Sequence, residues 1–320
     1  MNSIYYEKAF EGAKIILFNL GNLQKNEILC IIVDKHTSKL GTIFKQLCVE
    51  KGILSKTFLI PDQKMHGSEP SKEVAEYMLK SNLILGLTTF SIAHSRARKN
   101  ASKNKTRFLS LPDYSLDVLS DQSLRANFKE LSKNALYLSK KFSNGKKILI
   151  TTEKGTHLSL DILGRKGNFA PGFVNDDVLL GSPPDIEANI APVENNSNGI
   201  IVVDASIPIP KIGKLDNDII LEIKDGKIIS INGNLKQTQI LQSLFKNYGS
   251  KSKILAELGI GFNNLAHICG NMLIDEGTFG TFHCGFGSNS TIGGLNKINF
   301  HLDFVFNCNK LIIDNKTIKF

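Results

Sequence analysis

Asn299-Phe300-His301-Leu302-Asp303-Phe304-Val305-Phe306 sets two ionisable side chains inside an apolar run. Successive side chains of a strand point to opposite faces. Phe300, Leu302, Phe304 and Phe306 therefore share one apolar face, and His301 and Asp303 sit together on the other. Two neighbouring runs repeat the theme: Ile254-Leu255-Ala256-Glu257-Leu258-Gly259-Ile260 and Gly280-Thr281-Phe282-His283-Cys284-Gly285-Phe286. Imidazoles and carboxylates on buried strands need a partner to offset the cost of leaving water. A divalent metal ion is the commonest such partner, so the last quarter of the chain is read as sheet carrying a metal site.

Outward from that quarter, residues 219–223, Asp225-Gly226 and residues 227–231 read as strand, turn and strand, the Asp-Gly pair suiting a tight primed turn. Residues 237–248 have helical periodicity, and residues 310–320 read as a hairpin bent at Asp314-Asn315. The first half is different. Strands at 27–33, 57–60, 82–87 and 107–111 alternate with helices at 5–23, 37–51, 72–80 and 91–103, the last with Ser91 as a candidate cap. A long helix over 121–142 carries Leu124, Phe128, Leu131, Ala135 and Leu138 at helical spacing, and Ser143-Asn144-Gly145-Lys146-Lys147 breaks it. The expected fold is α/β: an N-terminal doubly wound α/β domain, residues 1–147, and a C-terminal mostly antiparallel α+β metal-binding domain, residues 148–320. The first domain has no GxGxxG or P-loop glycine cluster, so α/β order alone gives it no nucleotide.

A chain of 320 residues with 42% hydrophobic and 22% charged residues is ordinary for a globular protein with a large core. No apolar run approaches the roughly 18 residues of a membrane span, and the first residues lack a signal-peptide pattern. Cys30, Cys48, Cys269, Cys284 and Cys308 form no CxxC pair or disulfide spacing, which fits reduced thiols and a cytoplasmic location. The net charge of +9 is uneven: residues 1–150 carry 24 Lys and Arg against 13 Asp and Glu, and residues 151–320 carry 15 against 17. The lysines are spread along polar helix faces without an aromatic platform. Nucleic-acid binding is not expected, and a basic face that steers an anionic substrate is the better reading.

The candidate metal ligands are Glu187, Glu257, His283, His301 and Asp303. Imidazole and carboxylate suit zinc, iron, cobalt or manganese, and the lack of paired thiolates argues against a structural cysteine–zinc site. The bland alternative for His301 is a core histidine hydrogen-bonded to Asp303. Glu187 and Glu194 lie in residues 181–194, an irregular stretch with Pro183, Pro184 and Pro192 that reads as a site wall; Glu194 is read as a solvated acid. In the first domain, residues 88–98 follow a buried strand, where ligands of open α/β sheets gather, and His94 is the substrate-facing candidate there. His267 reads as packing, and His157 and Asp161 as exposed. No GxSxG elbow is present, and Cys284 falls on the strand face opposite His283.

Ala256 to Asn263, Asp275 to His283, Gly293-Gly294, His301-Leu302-Asp303 and Pro184 to Glu194, preceded by Gly164-Arg165-Lys166-Gly167, resemble the aminopeptidase T family of metallopeptidases. The resemblance spans residues 85–306 and implies two divalent ions that activate water to remove an N-terminal residue. It carries over Glu187, Glu257, His283, His301 and Asp303, while Ser290 stands nearest to the family's tyrosine ligand. A related branch, the 2,5-dihydroxypyridine 5,6-dioxygenases, implies the same fold with one iron held by two histidines and an aspartate; Glu257 stands where that branch has its first histidine. The turn around His94 is similar to a substrate-contacting turn of that branch.

The main expectation is therefore a metal-dependent hydrolase of small peptides or amides, with zinc, cobalt or manganese and with Glu187 or Glu257 as general base. The alternatives are a mononuclear iron(II) ring-cleaving dioxygenase and a catalytically inactive binding homologue. The resemblance also implies a homodimer.

Overall fold

Short runs rich in Ile, Leu and Val become strands, and the amphipathic stretches between them become helices, in the computed structural model of the protein. The structure describes residues 3–63, 65–307 and 310–319. Met1 and Asn2 of the signal-peptide reading, Cys308 and Phe320 lie outside these residues.

In chain order the first part holds α1 (Ser3–Lys14), β1 (Ile28–Val33), α2 (Ser38–Lys51), β2 (Leu54–Leu59), α3 (Lys72–Lys80), β3 (Leu83–Leu87), α4 (Arg96–Lys103), β4 (Arg107–Ser110) and α5 (Leu116–Ser120). Next come α6 (Phe128–Asn144), β5 (Lys147–Thr151), β6 (His157–Asp161), β7 (Asn168–Ala170), β8 (Leu180–Gly181), β9 (Glu187–Ile190), β10 (Asn198–Val203), β11 (Ser206–Ile207) and β12 (Gly213–Lys214). The last part holds β13 (Ile219–Lys224), β14 (Lys227–Asn232), α7 (Leu235–Tyr248), β15 (Leu255–Gly261), α8 (Met272–Gly277), β16 (Thr281–Gly287), β17 (His301–Asn307), β18 (Lys310–Ile313) and β19 (Lys316–Ile318). These elements form two compact units, one of Met1–Ala126 with Pro171–Pro184, the other of Asn127–Ala170 with Asp185–Phe320.

The first unit is built on a parallel sheet in the order β2-β1-β3-β4-β8. Its central strands are buried on both faces, which is why β1 reads Ile-Leu-Cys-Ile-Ile-Val without alternation. Cys30 and Ile32 pack with Val74 and Met78 of α3 and with Ala97 and Ala101 of α4, while α2 packs on β1 and β2. The helix read from residue 91 begins later. Ser91 Oγ is engaged by Ser110 Oγ at 2.8 Å and by the Ala93 amide, so Ser95 caps α4 instead, accepting from the Arg98 amide at 3.1 Å. The helix read over 121–142 is likewise two pieces: Asp121 caps a 3-10 turn, Gln122–Arg125, and Asn127 caps α6.

The second unit holds two antiparallel seven-stranded sheets, β14-β13-β10-β6-β5-β18-β19 and β12-β11-β17-β16-β15-β9-β7. Asp225 and Gly226 both take positive φ, 48° and 70°, as the primed turn between β13 and β14 requires. Helix α6 packs on β7 and β9, and no disulfide joins Cys30, Cys48, Cys269 and Cys284. The architecture is thus a parallel α/β unit and a mostly antiparallel α+β unit that carries candidate metal-coordinating residues. Among the described residues, no helix is long and apolar enough to cross a membrane.

Candidate metal centre

Four adjacent strands, β9, β15, β16 and β17, build the centre by alternation. Their register sets Asn189 beside Gly259, Gly259 beside His283, Gly261 beside Glu187, and Gly285 beside both Glu257 and Asp303, with His301 beside Gly287. Glu187, Glu257, His283, His301 and Asp303 therefore emerge on one face. The other face is apolar: Phe286 meets Phe304 at 5.3 Å between ring centroids, Phe282 meets Phe306 at 5.8 Å, and Phe245 of α7 stacks on Phe304 at 6.4 Å. Phe300, just before β17, joins this set by packing edge-on against Phe245. Cys284 lies on that apolar side, where burial pushes its thiol up.

Two glycines leave room for the polar face. A Cβ on Gly259 would stand 1.9 Å from His283 Nε2, and one on Gly285 would stand 2.6 Å from His301 Nε2 and 2.7 Å from Asp303 Oδ1. The ionisable groups occupy the volume that ordinary side chains would fill. They fall into two overlapping triads, Glu187–Glu257–His283 and Glu257–His301–Asp303, the ligand atoms of each within 4.8 Å of one another. His283 Nε2 is 3.1 Å from Glu187 Oε2, and His301 Nε2 is 3.3 Å from Glu257 Oε2 and 3.2 Å from Asp303 Oδ1.

The donor set suits a cation. His301 Nδ1–H donates to the Ser288 carbonyl at 2.8 Å, an oxygen that can only accept. Its Nε2 then either carries a second proton between two carboxylates or turns a lone pair to an ion, the usual arrangement of a ligating histidine. The Glu187 Oε2 and His283 Nδ1 atoms are buried without a hydrogen bond, the 3.1 Å contact between Oε2 and Nε2 being close but out of line. An orphaned buried polar atom costs about 1–3 kcal/mol, and an ion that engages Glu187 would offset that at one of them.

The electrostatics point the same way. Burial pushes the His283 imidazole down, but Glu187 and then Asp303 and Glu257 outweigh it and raise it to about 9. Burial also opposes charge on His301, and Asp303 and Glu257 outweigh it, holding the ring well above its ordinary value. Burial raises the Glu257 carboxyl, helped by Glu187 and Asp303 and opposed by His301. Asp303 goes down, because His301 and His283 overcome the effect of burial.

Two acids that the sequence reading passed over complete the cluster. Asp185 is 5% exposed, and burial followed by Glu187, Glu257 and Asp303 hold it well above the carboxylate range. Glu276, near the end of α8, is pushed up by burial and then by Asp303, and a side-chain hydrogen bond between the two carboxyl groups helps to hold Asp303 down. Five carboxyl groups thus face two imidazoles. The spacing held the signal for one: Asp185 and Glu187 sit at i and i+2 around Ile186, as His301 and Asp303 do around Leu302. Asn189, also on this face, donates to Glu187 Oε1 at 2.7 Å.

The remaining candidates lie elsewhere. His94 belongs to the first unit, exposed in the turn before the Ser95 cap of α4. His157 is exposed on β6 and His267 is exposed in the irregular stretch before α8, so His267 is not core packing. Asp161 accepts from the Leu163 amide and Asn196. Ser290 is exposed in the loop between β16 and β17. Glu194, read as solvated, has a side chain only 13% exposed and pairs with Arg165.

An α/β fold with a carboxylate–histidine cluster on one sheet face, buried except at His301, defines a candidate metal-dependent enzyme. Residues 20–319 match the family model described as "NicX: 2,5-dihydroxypyridine 5,6-dioxygenase", and the chain belongs to that family. Its fold is similar to that of the 2,5-dihydroxypyridine dioxygenase from Pseudomonas putida KT2440, with a TM-score of 0.79 at 16% identity, covering 98% of this chain and 95% of that one. It is also similar to wild-type AmpT from Thermus thermophilus, with a TM-score of 0.63 at 12% identity over 96% and 94% of the two chains. No curated protein matches the sequence.

These findings overturn the aminopeptidase T assignment and, with it, the expected hydrolase, aminopeptidase and metallopeptidase activity. AmpT is a more distant structural relative, and the family match is to the dioxygenase branch. The physical reason is that the motifs behind the resemblance are strand positions of a shared scaffold. Alternation puts carboxylates and imidazoles on the same sheet face whatever the reaction, so those residues report the fold before they report the chemistry.

Proposed function

We propose that the chain is a metal-dependent dioxygenase that opens the ring of a small hydroxylated aromatic, with Glu257, His301 and Asp303 holding a single iron(II) ion. The observation that carries this reading is that the family match runs through all three residues, whose ligand atoms lie close enough to share one ion. The family description points to a dihydroxypyridine as the first substrate to try. Glu257 makes the set two carboxylates and one imidazole, harder and more anionic than two imidazoles with one carboxylate, and still of the ligand types that hold iron(II) or manganese.

Iron(II), when bound, supplies the redox chemistry toward dioxygen that no side chain provides. The chain's own groups do the rest. The Ser288 carbonyl fixes the His301 ring, and Glu276 steadies Asp303. Glu187 and His283 form a buried pair that holds a proton near neutral pH, suited to exchange one with a substrate hydroxyl. His94, in the first unit, is assigned to substrate contact, and the working assembly to a homodimer.

The test is oxygen uptake by anaerobically purified, iron(II)-loaded protein given 2,5-dihydroxypyridine. Uptake matched to ring loss, abolished in His301→Ala and weakened through KM in His94→Ala, is expected. Metal-free protein that binds the ring compound equally well before and after His301→Ala would instead mean a binding protein and would end the enzyme reading.

A further inference from the structure

The loop between β16 and β17 carries the carbonyl that orients His301, and it is secured from outside the metal centre. Glu194 Oε1 accepts from Asn289 Nδ2 at 2.9 Å and from the Leu295 amide at 2.6 Å, while Glu194 Oε2 pairs with Arg165. Arg165 also donates to the Gly293 carbonyl at 2.8 Å. Asn289, the residue after Ser288, is buried and closes the loop on itself: its amide donates to the Asn296 carbonyl at 3.0 Å and its Oδ1 accepts from the Asn296 amide at 2.8 Å. A loop with two consecutive glycines, Gly293 and Gly294, and an exposed Leu295 has little apolar anchorage of its own. What fixes it is this set of charged and amide hydrogen bonds, in which Glu194 makes three of the contacts.

We infer that Glu194 is a positioning residue for His301: it pins the 289–295 loop, which holds the Ser288 carbonyl where it takes the Nδ1 proton of His301 and leaves Nε2 facing Glu257 and Asp303. The geometry stands whether or not an ion is bound. Its consequence for ion affinity rests on the metal reading proposed above. Partners that orient a ligating histidine are typically worth about 10–100-fold in metal affinity. Charge-assisted hydrogen bonds are stronger than neutral ones, so removing the carboxylate, which makes three such contacts, releases the loop more than trimming a neutral contact would.

The experiment compares wild type, Glu194→Ala and Glu194→Gln by two readouts on folded protein. The first is the proton resonance of the His301 Nδ1–H that is hydrogen-bonded to the Ser288 carbonyl, assigned by its loss in His301→Ala. The second is affinity for Mn(II) or Zn(II), measured by competition with a chromophoric chelator. The resonance is expected to vanish in Glu194→Ala, with affinity down about tenfold or more. Glu194→Gln keeps an acceptor for Asn289 and Leu295 but loses the ion pair with Arg165, so an intermediate result is expected. Lower thermal stability with the resonance and affinity intact in either folded variant would reduce Glu194 to a structural role and overturn the inference. Failure of the wild type to bind a divalent ion would sink the metal reading, while the resonance would still decide the role of Glu194. If Glu194→Ala does not fold, the Gln variant decides: a resonance and affinity equal to wild type overturn the inference.

Discussion

His301 has both ring nitrogens committed, Nδ1 to a carbonyl and Nε2 to two carboxylates, and this makes the residue-scale account testable at its neighbours. Gly259 is the sharpest case. A methyl group there would meet His283 Nε2 at 1.9 Å, and the ring, 1% exposed, has nowhere free to go. Gly259→Ala is expected to cost about 1–3 kcal/mol, as overpacking generally does, and to weaken divalent-ion binding, read by urea denaturation and chelator competition. Unchanged ion affinity would mean that His283 is not part of the centre. The titration of His283 supplies a second expectation. Its folded value is raised from 6.5 to about 9, so its contribution to the metal-free chain is present below 6.5 and lost as pH rises through 9. A protonated His283 beside Glu257 and Asp303 repels a cation held by them, so an ion binds better as that charge is lost over the same window. The gain in Tm from added divalent ion should therefore widen from pH 6.5 to pH 9, and a gap that narrows would contradict the site. At this scale alternation alone exposed His301, Asp303, His283 and Glu257. Glu276 stayed hidden because it reaches Asp303 from a helix end, and nothing in a strand's periodicity points to that.

Elements were legible where local chemistry decides them. The Asp225-Gly226 turn, the β-α alternation of the first half and α7 all follow from neighbours within a few residues. The helix over 121–142 shows the opposite: Leu124 and Phe128 keep helical spacing across a real break, and the stronger signal was the cap, Asn127 with Glu130 three residues on. Asn127 Oδ1 accepts from the Glu130 amide at 3.3 Å, at the start of a 17-residue helix that packs on β7 and β9. Asn127→Ala should cost about 1 kcal/mol of unfolding free energy by denaturant titration. No loss would mean that the break, rather than the cap, sets where α6 begins.

For the molecule as a whole, the fold class was readable, while the dioxygenase family stood only as the alternative to aminopeptidase T. Alternating βα order predicts a parallel unit, and alternation with hairpin turns predicts an antiparallel one, because both arise from short-range pattern. The segment 171–184 joins the first unit through the two-residue strand β8, whose pairing with β4 spans some seventy residues and leaves no periodic trace. The misassignment to aminopeptidase T has the same root at larger scale: Glu187, Glu257, His283, His301 and Asp303 are set by a scaffold that dioxygenases and aminopeptidases share, so their order along the chain could not separate the reactions.

Elemental analysis of protein purified without oxygen tests the centre most directly, with wild type set beside His301→Ala and Asp303→Asn. About one iron per chain is expected in the wild type, as a single mononuclear site requires, with the metal lost from both variants while their folds persist. A wild-type chain that takes up no divalent metal, or variants that hold it as tightly as the wild type, would contradict the claim that this sheet face is a metal centre.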